Sequence, residues 1–85
     1  MNLGSLIYHR GAYGDHVGVL LYDNDEGGTV KVYEVVEQEE VWFVKSECTI
    51  VSEDEFKIHR ERITHEVETG DFRRLREAHI RRNAK

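Results

Sequence analysis

The chain has 85 residues, 39% hydrophobic and 34% charged, with twelve Lys and Arg against seventeen Asp and Glu and a net charge of −5. A lone Cys48 excludes an internal disulfide and a Cys-rich metal knuckle, so a domain this small is expected to need a docked segment or a second copy to reinforce its core. The acidic balance argues against a general duplex-DNA binder, whose footprint is a basic face.

In chain order, Met1 to Ser5 carries no basic run and no long apolar run, so no signal peptide is expected. No stretch approaches the roughly 20 apolar residues of a membrane helix, and with the single thiol this points to a cytosolic protein. Leu6 to His9 is a short strand, followed by a Gly11–Asp15 loop with two glycines. Val17 to Tyr22 is the clearest strand, with Val17, Val19 and Leu21 on one face and Gly18, Leu20 and Tyr22 on the other. Gly18 inside it marks a bulge or a close backbone approach. Asp23 to Gly28 is a turn. Thr29 to Val36 is a β-branched strand in which Val30, Val32, Glu34 and Val36 share a face. After a polar connection at Glu37–Glu40 comes a strand over Val41–Lys45, apolar on both sides, and Cys48 to Val51 is a fifth.

At Ser52 the period changes from two to 3.6. Ser52 with Glu55 three residues on is a capping box. The helix it opens presents Phe56, His59, Ile63 and Val67 as one stripe with Ile58 beside it, and Gly70 is placed to end it. Asp71 starts a second helix with Phe72, Leu75 and His79 on one side and Arg73, Arg74, Arg81 and Arg82 mostly outside. The fold class expected is mainly β, α+β: a five-stranded small barrel over residues 1–52, then a charged helix or helical hairpin over residues 53–85, folded as one unit. Charge divides along the same lines. Residues 1–52 hold three Lys and Arg against nine Asp and Glu, whereas residues 71–85 hold six against two. The basic end is expected to be a solvated helix terminus before it is an acid- or phosphate-binding one.

No catalytic set emerges. His65-Glu66 opens like a zincin helix, but Thr69 stands where the second His is required. His59 and His65 diverge by about 240° around a helix. His9 and His16, with Asp15 near, could approach across a strand pair, yet structural His is the expectation and no metal or cofactor is expected. Cys48 beside Glu47 reads as a packed small side chain, not as a nucleophile. The aromatics are more informative. Trp42 is expected in the core because its strand is apolar on both flanks, while an outward Trp42 would offer a stacking face; Tyr13, in a loop, is the foremost exposed contact.

Gly14-Asp15-His16-Val17-Gly18-Val19, Val30-Lys31-Val32-Tyr33, Val41-Trp42-Phe43-Val44 and Cys48-Thr49-Ile50-Val51 together resemble the strand order of SH3-like barrels of the KOW and Tudor type. They are also similar to small barrel proteins of tailed bacteriophages; the resemblance spans residues 3–52. It implies a binding module, with an aromatic contact surface at Tyr8, Tyr13 and Trp42. The function expected is a non-catalytic protein-interaction module, as in a phage-encoded modulator of a host protein, with a protein partner or self-association. The alternatives are a nucleic-acid-associated protein using Arg73, Arg74, Arg81 and Arg82 within residues 71–85, and a structural subunit of a larger assembly.

Overall fold

The structure is a computed structural model that describes residues 1–12 and 14–69. In chain order it runs β1 (Leu6–Gly11), β2 (Gly14–Asn24), β3 (Thr29–Glu34), β4 (Glu39–Val44), a 3-10 turn (Lys45–Glu47), β5 (Cys48–Ile50) and α1 (Glu53–Thr69). The strands form one antiparallel sheet in the order β4-β3-β2-β1-β5, so the fold is mainly β, α+β, as the periodicity requires. The expected cap at Gly70 and the helix from Asp71 lie outside the described residues. Among the described residues no helix is long and apolar enough to cross a membrane.

The sheet must curl. β4 and β5 end the strand order at opposite sides, about 19 Å apart if the sheet were flat. The three-residue turn Lys45–Glu47 joins them; the four Cα steps from Val44 to Cys48 reach at most about 15 Å, and less in a 3-10 turn. The rings record the same curvature. His9 of β1 stacks on Phe43 of β4 at 3.8 Å and 11°, although β2 and β3 lie between their strands in the sheet.

Inside the curl Ile7, Leu20, Val30 and Val32 are buried, with Phe43 and Cys48 packed against them. Glu34 joins this face at 1% exposure. Its carboxylate accepts the N–H groups of Val36 at 2.9 Å and Glu37 at 2.7 Å, which bends the chain away from the sheet. β3 therefore ends at Glu34, not Val36, and the connection to β4 is residues 35–38, closed by Gln38 at φ 57°. Burial raises the Glu34 carboxyl above the usual range, opposed by those two N–H bonds.

Gly18 marks a close approach, not a bulge: a Cβ there would overlap the Tyr33 carbonyl oxygen and a methyl of Val32 on the next strand. The bulge lies further along, where the β2–β3 register shifts between Leu20 and Tyr22. Leu20 still pairs with Val32, but Tyr22 pairs with Lys31, so Tyr22 leaves the face it was expected to share with Leu20.

On the outer side α1 packs on β1 and β2. Phe56, His59, Ile63 and Val67 all lose exposure along the expected stripe, and Ile63 falls to 1%, whereas Ile58 stays 64% exposed. Ser52 caps the helix: its Oγ accepts the Glu55 N–H at 3.2 Å, and its hydroxyl donates to the Glu55 carboxylate at 3.0 Å. Ser52→Ala is expected to cost about 1 kcal/mol in urea unfolding without changing the slope of the transition.

Candidate interaction surface

Pairing across the sheet decides which side chains face out. Tyr22, Lys31 and Trp42 are successive partners on β2, β3 and β4, and Tyr33 and Glu40 pair in the next row. Because Val30 and Val32 point inward, this row points outward. Trp42 is thus 55% exposed, correcting the expectation that it fills the core; Phe43 takes the core side of β4 instead. Tyr22 is 54% exposed and meets Trp42 edge-on, ring centroids 6.1 Å apart. Tyr33 and Val44 are exposed on the same face. Lys31 bonds Glu40 at 3.1 Å. Four large apolar side chains are thus exposed on one sheet face among the described residues, the kind of surface that marks an interaction site.

Tyr8 is not part of it. It lies on β1, opposite Val17, and its ring stacks on His59 of α1 at 3.9 Å and 10°. Its hydroxyl donates to Asp15 at 2.6 Å, and Asp15 also receives Arg62 at 2.9 Å. Arg62 in turn bonds Glu66 at 3.1 Å. Burial, then the Asp15 hydrogen bond and charge, push the Tyr8 phenol upward. Tyr8 is therefore a fastener between helix and sheet, and it does not combine with Trp42 into one aromatic surface. Tyr13, Arg73, Arg74, Arg81 and Arg82 lie outside the described residues. Sequence reasoning missed Tyr22 and Tyr33 as members of the outer face. Tyr33 was legible from its alternation with Val30 and Val32; Tyr22 was not, since nothing in Leu20-Leu21-Tyr22 announces the bulge.

At the opposite end, the paired His9 and His16 bring their rings to 5.5 Å. Asp15 does not join them, because alternation sends it to the helix side. His9 is buried; its Nε2 lies 3.0 Å from Glu47 and its Nδ1 has no hydrogen-bond partner. Among the described residues no group of three or more His, Cys, Asp and Glu side chains is placed to hold a metal ion. The Met1 ammonium reaches Asp23 at 2.9 Å and Lys45 reaches it at 3.0 Å; those two hydrogen bonds hold its carboxyl below the usual range. Lys45 also pairs with Asp25.

Cys48 pairs with His9 across β1 and β5 and is half-buried. Burial first, then Glu47, lift its thiol from 9.0 to about 11. Its thiolate fraction at neutral pH is thus about a hundredfold below that of the unfolded chain. Disulfide-exchange labelling at pH 7 is expected to be slower in the native protein by at least that factor, followed by absorbance with and without denaturant. Between pH 9 and 11 the unfolded thiol loses its proton while the native one keeps it, so this group's contribution to stability falls as pH rises through that window.

Among the described residues, a five-stranded, curled antiparallel sheet with one docked helix and an exposed aromatic row defines the class: a small mainly-β domain. No family model matches the chain, and no curated protein or solved structure matches it.

Proposed function

We propose that this protein is a non-catalytic interaction module of the SH3-like kind, with the Tyr22–Tyr33–Trp42 face as its contact surface. The strand order and the 3-10 turn between the last two strands support the SH3-like reading. The observation that carries the functional reading is the outward placement of Trp42 and Tyr22, each more than half exposed, on the sheet's outer face rather than in the core. Large aromatics lose little conformational freedom when covered and dominate protein interfaces. The partner is a protein, as for a phage-encoded modulator of a host protein, or a second copy of this chain. The nucleic-acid alternative is less well supported, because residues 1–69 hold six Lys and Arg against fifteen Asp and Glu.

The test is affinity capture from host extract with the wild type, Trp42→Ala and Tyr22→Ala. Both substitutions are at exposed sites, and thermal unfolding should confirm that the fold survives them. A specific partner held by the wild type and lost by both variants is the expected result. Undiminished capture by Trp42→Ala would rule this surface out. Absence of RNA and single-stranded DNA binding at low salt would dispose of the alternative.

A further inference from the structure

The aromatic face has a charge as well as a shape. Residues 22–45, which build and border it, hold two Lys against six Asp and Glu once Glu34, buried on the opposite side of the sheet, is set aside. Lys31 pairs with Glu40 and Lys45 with Asp23 and Asp25, which offsets part of that charge and leaves the border net negative. An electron-rich indole and two phenol rings set in an acidic border favour a cationic occupant. Arginine fits best, because its planar, weakly hydrated guanidinium stacks on aromatic faces while its donors reach carboxylates. The chain carries such a sequence itself. Residues 71–85 include Arg73, Arg74, Arg76, Arg81, Arg82 and Lys85 against Asp71 and Glu77, whereas residues 1–69 carry a net −9.

We propose that the occupant of the Tyr22–Tyr33–Trp42 face is the arginine-rich segment 71–85 of a second copy of this chain. This rests on the reading of that face as a contact surface and adds the partner's identity. The junction is heterologous, face to segment, and reciprocal exchange between two copies closes it into a dimer. It also answers the need of so small a domain for reinforcement.

The experiment uses the full chain, and its optical probe is built in, because Trp42 is the sole tryptophan. Sedimentation equilibrium is measured on the wild type, on Trp42→Ala, and on a variant with Arg73, Arg74, Arg81 and Arg82 changed to Gln; Trp42 quenching by iodide and by acrylamide is measured on the wild type and on the Gln variant. The wild type should associate with concentration and shield Trp42 from both quenchers as it does. Its dissociation constant should rise about tenfold or more between low and high salt. Each variant alone should be weaker by about tenfold or more. An equimolar mixture of the two should form a complex, since Trp42→Ala keeps the arginines and the Gln variant keeps the face.

The proposal is overturned by a wild type that stays monomeric with Trp42 open to quencher, by a dimer that Trp42→Ala leaves unchanged, or by Trp42 shielded within a monomer, which places the chain's own segment on the face. Shielding of Trp42 by added single-stranded RNA without self-association would assign the face to nucleic acid and equally overturn it. If the wild type is monomeric yet host capture still depends on Trp42, this inference alone fails and the contact-surface reading stands.

Discussion

Gly18→Ala is expected to cost at least about 3 kcal/mol, a large part of the stability of a domain this size. The added methyl meets the Tyr33 carbonyl oxygen, which is backbone and cannot rotate away, and a Val32 methyl within the core. Relief requires β2 and β3 to separate along the pairing that holds the sheet's centre, Gly18 with Glu34 and Val19 with Tyr33. Gly28→Ala is the matched control. Gly28 has φ 66° and nothing within 4 Å of an added Cβ, so its cost is conformational alone, about 1 kcal/mol. Thermal unfolding of the two variants separates steric from conformational demand. Equal losses at both sites would show that β2 and β3 part easily and that Gly18 is not the pinch point of the sheet.

Ile63→Ala should lower stability by about 3 kcal/mol, roughly 15 °C in Tm, because the side chain is 1% exposed and its removal leaves a cavity between helix and sheet. Ile58→Ala, five residues earlier on a 64% exposed position, should change stability by less than about 0.5 kcal/mol. The form of the Ile63→Ala transition matters as much as its midpoint. Val17 beneath the helix and Ile63 upon it are buried to the same degree, and the Tyr8–His59 stack and the Arg62–Asp15 bond join the same two elements. A single transition seen alike by far-ultraviolet circular dichroism and Trp42 fluorescence is expected. Helix loss ahead of sheet loss would mean that α1 is an appendage.

Much of this architecture was legible in the sequence, and particular residues show where legibility stopped. Val30, Val32 and Glu34 alternate in the sequence and are buried together in the fold. Ser52 and Glu55 announced the helix start, and the stripe through Ile63 announced its buried side. The end of β3 was not legible, because it depends on a buried carboxylate folding back onto two N–H groups, while Val35-Val36 still reads as strand. That misplaced turn obscured the partner of Trp42. The parity was nonetheless available: in either register Trp42 faces the Lys31–Tyr33–Val35 side, away from the valine core. Tyr8 misled for a different reason. Its exposure is reduced by a helix some fifty residues later in the chain, which no local pattern reports. The aromatic face itself needed one further fact, the bulge at Leu21, to bring Tyr22 beside Trp42.

The pairing of β1 with β5 has a consequence for biosynthesis. Ile7 waits for Ile50, and Leu6 accepts the amide of Val51. While the polypeptide is being made, β1 through β4 can form hairpins in succession, but one side of β1 stays unprotected until residues 48–51 have left the ribosome. Translation adds about 5–20 residues per second, so that interval lasts on the order of seconds, far longer than the microseconds a hairpin needs. The nascent chain therefore passes through a window in which an open strand is available to other nascent chains, and the charged Arg10 of β1, with its β2 partner Asp15, stands guard beside it.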